Sequence, residues 1–598
     1  MKLSLFSFLL LLCSISFAQL SVQNDAYVFV KKQYVYVTDD VNIDDVDSKI
    51  YLRDEAQLLQ GNGTTGNSGQ GELSVYQTGT VNQWSYNYWC SPVGNNSPAF
   101  GNEDARVNLI DDATGLTSST DALFVSGYNG SASPLSIAKR WLWTYQMSTQ
   151  YIDWVYVGAT GAIKPGLGFT MKGNGTGQTG SQLYDFRGKP NNGTITNDVA
   201  NGVNTLIGNP YPSAIDAAAF IHDDDNQASI TGTLLFWEQD GTIPSHVLVE
   251  YRGGYSSFTI SEDGSTVTTA PAQFMTYDEE DNSFPLPVPS YGSKVAKRYI
   301  PIGQGFMIEG RAGTPSAPAT VYTKNEHRVF AKESDGNSYF FRSSNTNLTE
   351  SNTSVGIQYQ DNGLSIVPED YKRFRINVDF TVNNAHYTRQ LVLNFHESAT
   401  TGFDYGLELI RSESLASDAY FSLDENVFSG QAFPFEETLT IPLVIDIEHQ
   451  QPLRFRIFDI QNFNESQGIF IHDSITDTYT NLRQTDYELH INPGHYSDRF
   501  SIVFTTETLG IETYKDTELT IFQDNALHQL SVLNPQNLDI ETITIYDVTG
   551  KRINQLHFKE TQEQYHVSTV HLIDGVYVVN VISDSGKTTT SQKIIVKK

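Results

Sequence analysis

Two cysteines in 598 residues are too few to staple this chain. Cys13 lies inside the apolar N-terminal stretch, so Cys90 alone is left for the body of the protein and an intrachain disulfide is excluded there. Set between Trp89 and Ser91-Pro92, Cys90 reads as a small buried apolar side chain. A nucleophilic role would need a histidine partner that sequence does not place. Positive charge is scarce as well: 38 Lys and Arg face 69 Asp and Glu, for a formal charge of −31. That balance repels phosphate and argues against nucleic acid as a partner. Past residue 18 no apolar run approaches the ~20 residues that a helix needs to cross a bilayer, so no transmembrane segment is expected after the leader. Nucleotide and acyl-transfer motifs are missing too. There is no Gly-x-Ser-x-Gly elbow, and Gly586-Lys587-Thr588 has Val581 where a phosphate loop needs its upstream glycine.

What is present is β structure. Aromatics make up 12% of the chain, with 32 Tyr, 33 Phe and 45 Gly, which suits strands separated by tight turns and excludes a disordered chain. At this length two to four domains are expected. Met1-Lys2, the apolar run Leu3 to Ile15 and the small-x-small Ser16-Phe17-Ala18 form a secretory signal peptide over 1–18, with cleavage between Ala18 and Gln19. Lipidation at Cys13 is disfavoured because Leu12 stands where a small residue belongs.

Residues 19–331 read as a duplicated β-rich region. Alternation in Tyr27-Val-Phe-Val and Gln33-Tyr-Val-Tyr-Val37 marks half-buried strands. From about 84 to 200 the order is Ser91-Pro92-Val-Gly94, Trp141-Leu-Trp143, Gly166-Leu-Gly168-Phe169-Thr-Met171-Lys-Gly173, then Asp185 to Pro190. From 201 to 331 it repeats as Asn209-Pro210-Tyr-Pro212, Leu235-Phe236-Trp237, Gly303-Gln-Gly305-Phe306-Met-Ile-Glu-Gly310, then Asn325 to Phe330. Pro92 to Phe169 is 77 positions and Pro210 to Phe306 is 96, so the second copy carries 19 more, assigned to the acidic, proline-rich loop Asp278 to Pro289. In the shared Gly-x-Gly-Phe unit the glycines allow a sharp turn and the aromatic anchors the next strand. A nucleotide loop would need a helix there, and none is expected.

Residues 332–364, rich in Ser, Asn, Asp and Gly, read as a linker or loop, and 365–508 as a β-sandwich with alternating strands such as Arg373 to Phe380 and Arg499 to Phe504. A second linker is placed at 509–518. In 519–598, Glu541 to Asp547 is a strand, Thr549-Gly550-Lys551 a tight turn, Asp574-Gly575-Val-Tyr577 opens another strand, and Lys593 to Lys598 is a basic closing strand. This segment resembles the C-terminal sorting domain of type IX secretion cargo in Bacteroidetes, through Asp547, Gly550, Lys551, Gly575, Tyr577 and Lys593. It departs from the family at the opening Pro-Asn-Pro turn, here Gln523-Asp524-Asn525-Ala526. The resemblance implies an immunoglobulin-like sandwich, export by the type IX machinery as partner, and a destination on the cell surface or in the medium. Residues 20–331 resemble repeated segments of large flavobacterial surface proteins.

Candidate chemistry elsewhere is thin. His396-Glu397 begins like a zinc-protease motif, but Thr400 replaces the second histidine and the context is a strand. The run Asp40 to Asp47 lacks the glycine and glutamate of an EF-hand. Asp223, Asp224 and Asp225, or Asp278 to Asp281, could gather calcium, though such runs are more often solvated loops. Trp141 and Trp143 could stack on sugar rings, yet Trp143 and Trp237 recur at equivalent positions among apolar neighbours, which points to a core. The expectation is an all-β, multidomain chain of antiparallel β-sandwich modules without cofactor or catalytic residues, serving adhesion or matrix interaction. A carbohydrate-binding protein with surface polysaccharide or extracellular glycans as partner, or a β-fold hydrolase, is the alternative.

Overall fold

The computed structural model describes residues 19–177, 180–277, 283–286, 291–311, 319–342, 357–383, 385–424, 426–506, 519–535, 537–583 and 588–598. The signal peptide with its Ala18 cleavage position, the acidic run 278–281 and the 509–518 linker lie outside the described residues. Strands dominate throughout, and the chain divides into two compact units, 1–505 and 506–598.

The first strands pair in parallel. Leu20–Val22 lies beside Val41–Ile43, Tyr27–Lys31 beside Lys49–Arg53, which in turn pairs with Glu72–Thr80, and Tyr34–Val37 beside Gln57–Gln60. The chain thus climbs in coils of about 22 residues, with Val22, Val30, Val37, Ile43, Leu52 and Leu58 turned inward. Alternation reveals which face of a strand is buried but not which direction its neighbour runs, so the antiparallel expectation does not extend to this segment.

The two copies meet across a pseudo-two-fold seam. In the first, Tyr86–Cys90 pairs antiparallel with Gly168–Lys172, Cys90 facing Gly168 and Trp89 facing Phe169. In the second, Asn204–Gly208 pairs with Gly305–Gly310, Gly208 facing Gly305 and Ile207 facing Phe306. Contacts between copies repeat in both directions: Trp89 bridges Gln304 while Ile207 bridges Leu167. The Cys90 N–H donates to Gly303 O (2.8 Å), and the Gly208 N–H donates to Gly166 O (3.1 Å). Glycine is required here by proximity, since a Cβ on Gly208 would fall 2.5 Å from the Cys90 Cβ and one on Gly305 would fall 2.8 Å from the Trp89 nitrogen. Each copy keeps a core, around Trp89, Phe169 and Phe186 in one and Phe236, Phe258 and Phe306 in the other.

The stretch read as linker or loop contributes to those cores where it is described: Phe340 packs on Trp89 (4.7 Å) and Phe341 on Phe236 (5.1 Å). Its Ser/Asn-rich composition conceals two buried aromatics. Beyond it, Lys372–Val382, Ala385–Phe395, Gln451–Gln461 and their neighbours form one long sheet wrapped round a third core that includes Phe374, Phe395, Phe455 and Phe500. Its opposite face is polar and docks on the second copy, where Arg373 donates to Thr268 Oγ1 (3.2 Å) and Arg375 to Thr269 O (2.7 Å).

The second unit is a sandwich of two antiparallel sheets. Thr520–Asp524, Gln529–Leu533 and Gln564–Ser568 make one; Arg552–His557, Ile540–Asp547, Gly575–Ser583 and Thr588–Val596 make the other. Between them lie Leu530, Val532, Ile543, Ile545, Tyr565, Val579 and Val581.

Candidate functional site

Period two divides the Tyr86–Cys90 strand. Trp89 is fully buried against Tyr184, Phe186 and Phe340, so Tyr86 and Tyr88 are left to the opposite face. There Tyr88 stacks parallel to Trp237 (6.0 Å, 10°), meets Trp154 edge-on (6.1 Å) and shares a hydroxyl contact with Tyr255 (3.0 Å). Tyr86 meets Trp141 and Tyr251 edge-on, each at 6.1 Å. One aromatic face therefore spans both copies.

At its centre is Lys172, which faces Tyr86 across the strand pair. Its ammonium lies 3.9 Å from the Trp141 ring centre, 4.4 Å from Tyr251 and 4.7 Å from Tyr86, donates to the Tyr251 hydroxyl (2.5 Å) and meets His246 Nδ1 at 3.1 Å. Among the described residues no carboxylate pairs with it. Burial pushes the amine well below its usual pKa, while the three ring faces attract the charged form. His246 lies over Trp141 (5.0 Å, 20°) and against Trp84 (4.3 Å), and burial together with Lys172 pushes its pKa down to about 4. The imidazole is thus neutral at physiological pH. Tyr128, 54% exposed under the Arg140 guanidinium (4.4 Å), and the exposed Ile152, Val155, Tyr156, Val247 and Val249 flank the face.

The sequence candidates are placed as follows. Of six tryptophans only Trp89 is wholly buried; Trp84, Trp141, Trp143, Trp154 and Trp237 are half-buried. Trp237 packs against a small buried cluster that includes Tyr88, Leu206, Leu235 and Met307, on the face opposite the core residue Phe236, while Trp143 meets the exposed Tyr156 edge-on (5.2 Å). Trp141 and Trp143 both spend their indole N–H on backbone carbonyls, of Tyr128 and Arg140 (2.7 Å each). Around Asp223 the counter-charge is a protein amine, for Lys324 donates to Asp223 (2.8 Å) and Asp225 (2.7 Å), and His327 meets Asp223 at 3.0 Å. Asp224 opens the short helix between them. Asp40 is buried and accepts the Thr65 N–H (2.7 Å). His396 stacks on Tyr371 (3.9 Å) beside Ser398. Among the described residues no group of three His, Cys, Asp or Glu could hold a metal ion. Cys90 is buried, which pushes its thiol pKa up.

In the second unit Asp547 Oδ1 accepts from Thr549 N (2.9 Å), Thr549 Oγ1 (2.6 Å) and Lys551 N (3.0 Å), and those donors lower its pKa. Gly550 takes φ +82°, which closes the turn, and the Tyr577 hydroxyl donates to Ile573 O (3.0 Å). Gly575 and Lys593 are exposed, as is Gln19 at the other end of the chain.

Sequence reasoning missed Lys172, His246 and Tyr251. A signal was available, because alignment of the Gly-x-Gly-Phe units sets Lys172 against Glu309, a charge reversal at a repeated position.

These features define an all-β protein with one aromatic face shared by the two copies of its duplicated region and a separate terminal sandwich. Over residues 125–504 the chain belongs to a family described as a domain of unknown function (DUF8693). Residues 526–597 match the secretion system C-terminal sorting domain, so the chain is type IX cargo of a Bacteroidetes bacterium, delivered to the cell surface. Among solved structures, PorZ, a surface component of the type IX secretion system of Porphyromonas gingivalis, aligns at 12% identity over 58% of this chain and 43% of its own, with a TM-score of 0.12. The chain thus spans less than half of that protein. A biofilm-associated protein BSP domain aligns at 13% identity over 88% of this chain and 90% of its own, also with a TM-score of 0.12. No curated protein matches. No described helix is long and apolar enough to cross a membrane.

Proposed function

We propose that this protein is a non-enzymatic adhesin, whose aromatic face on the duplicated region holds extracellular matrix once the sorting domain has brought it outside. The observation that carries this reading is the face itself: half-buried indoles fixed by hydrogen bonds to backbone, with exposed Tyr128, Ile152, Val155, Tyr156, Val247 and Val249 beside them. Apolar surface of that kind marks an interaction site. Glycan is the ligand class favoured by the rings, because tyrosine and tryptophan pair an apolar face with a polar edge that suits a sugar.

The test is binding of the secreted protein to matrix polysaccharide and to glycan arrays. Tyr128→Ala with Tyr156→Ala is expected to weaken binding about tenfold, a loss of ~1.4 kcal/mol, with the fold intact by circular dichroism. Unchanged binding would remove the aromatic face from the function. Hydrolysis of the bound polysaccharide would instead favour the enzyme alternative.

A further inference from the structure

The residues that mark the sorting domain in sequence are spread over about 50 positions, yet the fold gathers most of them at one end. Asp547 faces Tyr577 and Gly575 faces Val596, so the Asp547–Lys551 turn, the start of Gly575–Ser583 and the close of Thr588–Val596 share that end. The other sheet adds its own loops: Thr569 N donates to His528 O (2.8 Å), Asn525 Nδ2 to Ile595 O (3.2 Å), and Lys598 N to Asp574 Oδ1 (2.9 Å). Thr520, where the described chain enters the module, faces Leu533 at the opposite end.

The two ends differ in chemistry. Leu527 (68% exposed), Val548 (72%), Val570 (57%), Ile573 (74%) and Ile595 (64%) all belong to the far end, while no large apolar residue among the described ones at the entry end is exposed. Lys551, Arg552, Lys597 and Lys598 are exposed around them. The carboxylates there turn onto backbone: Asp524 accepts the N–H groups of Ala526 and Leu527, Asp547 those of Thr549 and Lys551, and Asp574 that of Lys598. Among the described residues no salt bridge ties Lys551, Arg552, Lys597 or Lys598 to these acids, so four unbridged cations edge the apolar residues on a chain of net −31.

Resting on the export reading, we infer that this far end is the surface gripped by a protein of the secretion machinery, and that the matching site offers an apolar floor edged with carboxylates. Apolar residues ringed by charge have the composition of an interface centre and its rim. Within the module this surface lies at the end opposite Thr520.

The test uses the full chain in a Bacteroidetes host with working type IX export. Val548→Asp with Ile573→Asp, and separately Lys597→Glu with Lys598→Glu, should each cut the exported fraction about tenfold. Lys559→Glu with Glu563→Lys at the entry end should change it less than twofold. Normal export of both far-end variants, while a chain ending at residue 518 stays inside, overturns this inference and leaves the export reading standing. Export of the truncated chain overturns the export reading itself. Should the far-end variants be degraded, photo-crosslinker at position 573 of the otherwise natural chain decides. Capture of an outer-membrane protein from 573 and not from 559 supports the inference, and the reverse, or no capture from 573, refutes it.

Discussion

Glu408 shows how one side chain can set a pH dependence. It is 3% exposed, accepts the Asp404 N–H (2.7 Å) and has no basic partner among the described residues, so burial and then the nearby Asp404 push its pKa up to about 9 from 4.5. A carboxyl with a raised folded pKa holds its proton in the folded state while the unfolded chain releases it. Its stability contribution is therefore fully present below pH 4.5 and is lost progressively as pH rises to about 9. Glu408→Gln, which mimics the protonated form, is expected to flatten that slope, most visibly in denaturation midpoints measured at pH 5, 7 and 9. An unchanged slope would place the titration elsewhere. None of this was legible beforehand, because Asp404 and Glu408 look like ordinary loop acids until tertiary packing removes water from one of them.

At the scale of strands, the seam between copies makes the sharpest claim. A Cβ at Gly208 would lie 2.4 Å from Gln304 O and 2.5 Å from Cys90 Cβ, both held by the seam, whereas one at Gly127 would meet nothing within 4 Å. Gly208→Ala should therefore destabilise the first unit by about 2–3 kcal/mol, and Gly127→Ala should stay within about 0.5 kcal/mol of the parent in thermal or urea unfolding. The paired glycines were readable in sequence as sharp turns, but their closer purpose, letting two backbones touch, required knowing that the copies pack on each other. The parallel coils were hidden differently. Leu20 and Val41, or Tyr27 and Lys49, lie about 22 positions apart in pairs that alternation alone cannot distinguish from hairpin partners.

At the scale of the molecule, turn chemistry gave the terminal sandwich away because Asp547, Gly550 and Tyr577 act locally, within a hairpin or across one strand pair. The aromatic face was barely visible, because its members lie more than 150 positions apart in the chain, Tyr86 in one copy and Tyr251 in the other. The sandwich has a core of its own, so residues 519–598 produced alone should show a β spectrum and one cooperative unfolding transition. A disordered product would mean that it depends on the rest of the chain. The pseudo-two-fold seam also has an evolutionary consequence. A homodimer must accept every substitution twice, whereas a tandem chain can change one half and spare its twin. Lys172 in one half and Glu309 in the other are that freedom exercised: a symmetric frame made to present unlike groups at matching addresses.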